Sequence, residues 1–161
     1  MFVALSSLLW AGCHSLPVFF APPAQKPSLA SAAFVMMSDP AADAFIVQGF
    51  RAHSESGWRW THDHPVLRFT LPETGRLKFH MDFTLPEATF HETGPATLSI
   101  AINGRPLDRV RCDHAGDYQY EHEVPDDLLH KPGVNLVAID PDKTATAEKL
   151  GFVLLRAGFV E

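Results

Sequence analysis

Two tryptophans and several polar side chains lie close together in the stretch Glu55-Ser-Gly-Trp-Arg-Trp-Thr61. Trp58 and Trp60 are two residues apart, so on an extended backbone both indoles leave by one face while Arg59 leaves by the other. Sugar recognition uses an aromatic face that stacks on the C–H side of the sugar ring, with planar polar groups nearby that bind the hydroxyls. The stretch therefore predicts a glycan-binding site. Its candidate residues are His53, Glu55, Trp58, Arg59 and Tyr118.

The same residues have a structural alternative. Large aromatic side chains are usually buried, so Trp58 and Trp60 are also candidates for the core of a sheet, with Glu55 and Arg59 as a paired charge contact. Tyr118 belongs to a second aromatic pair, for which the same two alternatives hold. Exposure of Trp58 and Tyr118 beside a concavity would favour binding, and enclosure in the core would favour packing.

A second candidate chemistry is metal binding. His62-Asp63-His64 places two imidazoles on one side of an extended chain, which is a minimal chelate for zinc or copper. A third ligand could come from His53, His80 or His122. Carboxylates that could hold a structural calcium are Asp43, Asp140 and Asp142, but their loop lacks the acidic ladder and glycine of dedicated sites. Without a ligand-spacing signature we assign no metal and no cofactor to the chain.

Catalysis and nucleic-acid binding are not indicated by the sequence. We find no Gly-x-Ser-x-Gly, His-Glu-x-x-His or Walker pattern, so we expect a protein that is not an enzyme. The formal net charge is -6, and the 13 Lys and Arg residues are spread singly along the chain. A phosphate backbone requires a basic patch or stripe, so nucleic acid is not an expected partner.

The elements that must position these residues are strands. From residue 44 onward apolar and polar residues alternate, with frequent Pro, Gly and Asn. The pattern predicts a polar loop at residues 86–95 and a single helical turn at residues 125–130. The predicted strands cover residues 44–50, 57–61, 64–71, 76–85, 96–102, 105–111, 118–124, 133–140 and 150–160. With no helix to cover a sheet, they must pack sheet on sheet, which predicts an all-β, antiparallel β-sandwich, a jelly roll of about eight or nine strands.

The strongest local signal is a β-hairpin at Asn103-Gly104, because these residues tolerate the positive φ angles of a type I′ turn. The predicted register places Ile102 opposite Arg105, Ala101 opposite Pro106 and Ile100 opposite Leu107. Proline cannot donate to a strand ladder, so we expect the second strand of this hairpin to lie at a sheet edge or to leave the sheet early.

The first 25 residues contain no Lys, Arg, Asp or Glu, and residues 2–12 form an apolar run. This length is typical of a signal peptide and too short for a membrane span. The stretch Leu8-Leu-Trp-Ala-Gly-Cys13 resembles the lipobox of bacterial lipoproteins, although Trp10 stands where an aliphatic residue is usual and a positively charged start is missing. The resemblance implies lipidation of Cys13 and a membrane tether without a spanning helix. The alternative is a short uncleaved hydrophobic tail.

Three regions follow from these patterns. Residues 1–13 are expected to be an export signal, and residues 14–43, rich in Pro, Ala and Ser, a flexible spacer that cannot bury enough surface to fold. Residues 44–161 are expected to form the β-sandwich domain. The predicted location is the cell envelope, with a lipid-anchored protein that faces the periplasm or the exterior.

The predicted sandwich region resembles a known family. It is similar to β-sandwich domains of the galactose-binding, carbohydrate-binding-module type, found alone or fused to bacterial envelope glycosyltransferases. The residues that carry the resemblance are Gly49-Phe50, Glu55, Trp58-Arg59-Trp60-Thr61, Asn103-Gly104, Pro125, Leu128, Gly133-Val-Asn135, Leu150-Gly151-Phe152, Leu154 and Arg156. The resemblance implies a jelly-roll sandwich with a glycan role at its loop ends.

The sequence thus predicts a non-catalytic, exported binding module of the cell envelope that recognises glycan. A structural or interaction subunit that docks another envelope protein, without a small ligand, is the main alternative. Periplasmic metal binding through His62 and His64 is a third.

Overall fold

Antiparallel β-strands make up most of residues 32–52, 57–72 and 75–161, which are the residues that a computed structural model of the chain describes. The strands are β1 (Phe34–Met36), β2 (Ile46–Phe50), β3 (Arg59–Leu71), β4 (Lys78–Leu85), β5 (Ala96–Ile102), β6 (Arg105–Cys112), β7 (Gly116–Glu123), β8 (Gly133–Pro141) and β9 (Val153–Val160). A short α-helix, α1 (Glu87–Thr93), and two 3-10 turns, Ala42–Ala44 and Asp126–Leu128, lie between them.

The strands form two layers that β3 joins. The back sheet has the order β6-β5-β8-β3-β2, and the front sheet has β7, β4 and β9 side by side. Residues 66–71 of β3 pair with β8 in the back sheet, whereas Arg59 and Trp60 at its start pair with β9 in the front sheet. β1 pairs with the same edge of β9 further along that strand. The predicted antiparallel β-sandwich is confirmed.

The core lies between the two sheets and is filled by alternate residues of each strand. In β4, Phe79, Met81 and Phe83 are buried, and the residues between them face away from the core. The rings of Phe69 and Phe79 both contact Phe159, with centroids 5.6 and 5.5 Å apart. Each fully buried side chain of this size contributes about 1.5–3 kcal/mol to stability. A shift of the register by one residue would lose this burial, so the alternation fixes which face of the front sheet is exposed to solvent.

Two predicted strands are in fact one. Residues 57–61 and 64–71 were separated by His62-Asp63, but β3 continues through both residues for 13 residues. The strand stays extended because it changes partner along its length, from β9 at Arg59 to β8 at Val66. His62 and Asp63 lie where β3 passes from one sheet to the other. Apolar and polar residues do not alternate there as in a half-buried strand, so the sequence pattern indicated a break.

The predicted polar loop at residues 86–95 is wrong, because α1 lies there. Thr89 is buried and Phe90 packs against the core, so one side of this helix covers the end of the sandwich. Gly94, with φ of 67°, ends the helix, and its N–H donates to the Phe90 carbonyl. A helix of seven residues is too short for its periodicity to be detected in the sequence.

The predicted spacer of residues 14–43 is wrong in its last part. β1 lies within it, and Val35 and Met37 are buried at 2% and 1% exposure. The average composition of these 30 residues predicted an unfolded segment. Three of them nevertheless form a strand, because the edge of β9 offers unpaired backbone groups with which they pair. The predicted export signal at residues 1–13, with Cys13, lies outside the described residues. None of the helices in the described part of the chain has the length and apolar character of a membrane span.

The Asn103-Gly104 hairpin is present, with a change in register. Ile102 lies opposite Arg105 and Ala101 opposite Pro106, as predicted. Ile100, however, lies opposite Asp108, since a bulge shifts the pairing by one residue. The prediction that β6 is an edge strand is confirmed, because β6 ends the strand order of the back sheet.

Candidate functional site

One row of side chains crosses the front sheet at right angles to the strands. Trp60 of β3 lies opposite Val153 of β9, Val153 lies opposite Thr84 of β4, and Thr84 lies opposite Asp117 of β7. Residues paired in this way share one face of a sheet. Four strands from distant parts of the sequence therefore place an indole, two smaller side chains and a carboxylate in line on the outer face.

The aromatic end of this row forms a shallow cavity of about 280 Å³, which we call the aromatic shelf. Trp58 and Trp60 are both half-buried, and their rings meet edge to face with centroids 6.1 Å apart. Val153 is buried between the neighbouring side chains. The shelf is lined by Trp58, Trp60, Thr84, Pro86, Val153 and Leu155. It offers apolar ring surface to solvent beside a concavity.

A β-bulge in β9 shapes the edge of the shelf. Phe83 pairs with Leu154 and Asp82 pairs with Arg156, so Leu155 is the extra residue between two regular pairs. Without the bulge, strict alternation would turn Arg156 into the core. With it, Leu155 is 38% exposed and Arg156 also stays on the outer face. The bulge therefore places an apolar and a cationic side chain next to each other.

A second cavity of about 300 Å³, which we call the polar groove, shares Leu155 with the shelf. Its lining residues are Asp82, Phe83, Asp117, Tyr118, Gln119 and Leu155. The Thr84 hydroxyl donates to Asp117 Oδ1 at 2.5 Å, and Arg156 Nε donates to Asp82 Oδ2 at 2.5 Å. Aromatic surface and planar polar groups thus adjoin on one continuous face, which is the combination that a sugar ring with its hydroxyls requires.

Charged residues continue along the outer face beyond the groove. Lys78 Nζ lies 2.9 Å from Glu121 Oε1, and this contact raises the pKa of Lys78 and lowers the pKa of Glu121. His80 is nearly buried between the carboxylates of Asp82, at 3.0 Å, and Glu121, at 3.6 Å. These groups pair mainly with one another, although Lys78 and Glu123 also border a separate cavity of about 610 Å³ at the far end of this face.

Arg59 does not belong to this site. It lies between two tryptophans in sequence, and adjacent residues of a strand face opposite sides, so its side chain enters the interior and is only 8% exposed. Its guanidinium lies 2.6 Å from Asp43 Oδ1. A buried cation with a carboxylate partner holds the segment before β2 against β3. The expected contact of Arg59 with Glu55 lies outside the described residues, and the charge contact that the structure shows for Arg59 is with Asp43.

Tyr118 lies at the rim of the groove, but its ring is already engaged. It stacks on Phe83, with centroids 5.2 Å apart, and on His114, with centroids 5.0 Å apart. Its hydroxyl donates to the His114 carbonyl at 2.7 Å. The neighbouring Tyr120 is buried, and burial raises the pKa of its hydroxyl. Tyr118 therefore supports the groove rather than offering a free face.

The predicted metal ligands are not brought together in the described part of the chain, where no group of three or more His, Cys, Asp or Glu is placed to hold an ion. His62 contacts the Glu148 carbonyl and His64 contacts Asp140. The candidate calcium ligands each have another partner: Asp43 contacts Arg59, and Asp142 Oδ1 accepts a hydrogen bond from the Thr97 N–H. His53 and Glu55 lie outside the described residues.

The sequence did not reveal the residues that complete the site, Thr84, Val153, Leu155, Asp117 and Gln119. Thr84 lies on the polar face of β4, but nothing local in the sequence links it to Trp60. The link requires the pairing of β9 with both β3 and β4, and those contacts join residues about 70 and 90 positions apart. A bulge such as that at Leu155 has no reliable local signal inside an apolar run.

A larger groove, of about 650 Å³, lies elsewhere on the surface, between β1 and the outer side of the back sheet. Its walls include Phe34, Met36, Phe45 and Val134, and most of the surface is apolar. Among the groove's polar residues, Arg68 already donates to the Ala44 carbonyl. The smaller shelf suits a sugar better because its aromatic face and open polar groups adjoin.

The fold is shared with carbohydrate-binding modules. The chain is similar to the CBM36-1 domain of a multidomain xylanase from the hindgut metagenome of Trinervitermes trinervoides, with a TM-score of 0.51 and 11% identity over 80% of this chain and 95% of that chain. It is also similar to a family 35 carbohydrate binding module from an environmental isolate, with a TM-score of 0.49 and 9% identity over 80% of this chain and 92% of that chain.

One large enzyme contains a similar region. A family GH115 4-O-methyl-alpha-glucuronidase with specificity for decorated arabinogalactans matches 91% of this chain and 19% of its own, with a TM-score of 0.51 and 10% identity. At these identities the likeness concerns the fold alone, which is an antiparallel β-sandwich. No protein-family model and no curated protein sequence matches the chain.

Proposed function

We propose that this chain is a non-catalytic, exported binding module of the cell envelope that recognises glycan on the outer face of its front sheet. The observation that carries the proposal is the aromatic shelf: the half-buried Trp58 and Trp60 line a cavity that adjoins the polar groove at Leu155. The β-sandwich fold supports it, because the same fold occurs in carbohydrate-binding modules. The export and lipid anchor rest on the leader pattern alone.

The division of roles follows from the geometry. The indoles supply apolar ring surface for the C–H face of one sugar, and Asp117 and Gln119 supply acceptors and donors for hydroxyls of the next. Trp60, Asp117 and Gln119 lie on strands of the front sheet, and Trp58 directly precedes β3, so the site is largely formed before a ligand arrives. A preformed site loses little conformational entropy on binding.

The proposal is tested by binding of the purified full chain to a glycan array, followed by calorimetry on each glycan that binds. Trp58→Ala and Trp60→Ala should each weaken binding about tenfold or more, since removing about 1.4 kcal/mol of stacking has that effect. Val134→Ala is the matched control, because Val134 is 54% exposed on the outer face of the other sheet. Equal binding by all four proteins would place the site elsewhere.

A second candidate function is docking of another envelope protein. The 650 Å³ apolar groove favours it, because Met36 and Val134 at its rim are 51% and 54% exposed. Exposed apolar surface of this kind is typical of protein contacts. Pull-down from envelope extracts should then depend on Met36 and Val134 and be unaffected by Trp58→Ala. Capture that is lost in Trp58→Ala and unaffected by changes at Met36 and Val134 would support the glycan site.

A further inference from the structure

The charge of the polar groove restricts the class of sugar that it can hold. Of the residues that line it, Asp82 and Asp117 are acidic, and no lysine or arginine is among them in the described part of the chain. The nearest cation on this face, Arg156, already donates to Asp82. The carboxylate of Asp117 is therefore the charge at this groove that no cation balances.

Asp117 is available to a ligand. It is exposed, and the Thr84 hydroxyl occupies only its Oδ1 atom. Next to it on the same strand face, Gln119 is also exposed. A carboxylate and an amide in this position accept hydrogen bonds from hydroxyl or amino groups. A ligand carboxylate at the same place would meet a like charge without a free partner.

We propose that, if the shelf binds glycan as proposed above, the groove selects a glycan whose sugar next to the stacked ring carries hydroxyl or protonated amino groups and rejects one that carries a carboxylate there. Selection depends on Asp117. Two unit charges about 5 Å apart in water interact by enough to change affinity about fourfold, and partial exclusion of water increases the effect. Moderate salt weakens it, because exposed charges are screened.

The test uses the full chain and an array that holds matched neutral, amino-substituted and uronate forms of the same oligosaccharides. We expect neutral and amino forms to bind and uronate forms to bind at least about fourfold more weakly. Asp117→Asn should narrow the difference between uronate and neutral forms. Glu123→Gln is the control, since Glu123 lies on the same face of β7 about 20 Å further along and does not line the groove.

The outcomes separate the two proposals. Uronate forms that bind as tightly as neutral forms, or a difference that Asp117→Asn leaves unchanged, would overturn the selectivity and leave the glycan site standing. Absence of binding to every form would overturn the proposed function, and the selectivity with it. A preference for neutral and amino forms that depends on Asp117 and not on Glu123 supports both.

Discussion

The neighbouring residues Trp58, Arg59 and Trp60 perform opposite tasks because a strand alternates its faces. The indoles lie outside with a cavity beside them, and the guanidinium lies inside with Asp43. Residue types alone predicted the aromatic pair and the separation of Arg59 from it. They could not decide exposure, because that depends on what the other strands place over each face. The ion pair with Asp43 joins residues that the sequence assigned to different regions.

Asp43→Asn should destabilise the fold without affecting binding. It leaves a buried guanidinium with a weaker, neutral partner, and hydrogen bonds to charged groups contribute about 1.5–3 kcal/mol. Urea unfolding should show a loss within that range, with an unchanged dependence on denaturant, and glycan affinity should remain that of the wild type. An unchanged midpoint would show that the pair contributes nothing to stability.

At the level of elements, the strands were predictable and their partners were not. Alternation located β4, β5 and β8 to within about two residues because each has one dry face. β1 and α1 were missed, since three and seven residues carry too little pattern. The site depends on which strands pair, because it requires β9 to lie between β3 and β4 and to form a bulge at Leu155.

Gly158→Ala tests whether β1 belongs to the domain. A Cβ at Gly158 would lie 2.4 Å from the Ala33 oxygen and 2.5 Å from the Phe34 Cα, both backbone atoms, so β1 would have to move. Overpacking of this kind costs about 1–3 kcal/mol, and the φ of 154° at Gly158, which residues with a Cβ rarely adopt, costs about 1–3 kcal/mol more. Thermal unfolding measures the loss.

The matched control for this substitution is Gly104→Ala. Gly104 also has a positive φ, of 77°, but a Cβ there would meet nothing within 4 Å. Only the cost of the backbone conformation should then appear. Equal losses for the two variants would contradict the packing of β1 against β9.

The contact between α1 and the loop before β9 predicts a pH dependence. Hydrogen bonds from Thr146, first from its side chain and then from its backbone N–H, lower the pKa of Glu92 below its ordinary value of 4.5. Glu92 therefore binds a proton more readily in the unfolded chain than in the folded one. The stabilisation from its contact with Thr146 is complete above pH 4.5 and is lost as the pH falls through the lowered pKa of the folded state. Tm should decline less steeply below pH 4.5 in Glu92→Gln than in the wild type. Parallel declines would show that the contact does not form in solution.

For the whole molecule, the class of fold followed from one argument. Many half-buried strands without long helices must pack sheet on sheet, and they do so here. The boundary of the domain was not predictable in the same way, because Val35, Met37 and Ala42 enter the core from a segment whose composition predicts a spacer.

Cys112 reports on the integrity of the whole sandwich. It is 1% exposed in the core, and burial raises the pKa of its thiol to about 11. In a Cys13→Ser variant, reaction of Cys112 with a thiol reagent at pH 8 should therefore require unfolding and be slow in native buffer. Adding urea beyond the unfolding midpoint should make it fast. Rapid reaction in native buffer would mean that the core around Cys112 opens readily.

The central claim about the molecule is that the indoles of Trp58 and Trp60 contact sugar. The most direct measurement is an NMR titration of the indole N–H resonances of the full chain with a glycan that binds it, assigned with Trp58→Ala and Trp60→Ala. We expect both resonances to shift with the same saturation curve as the calorimetric binding. Binding that leaves both resonances unmoved would contradict that claim.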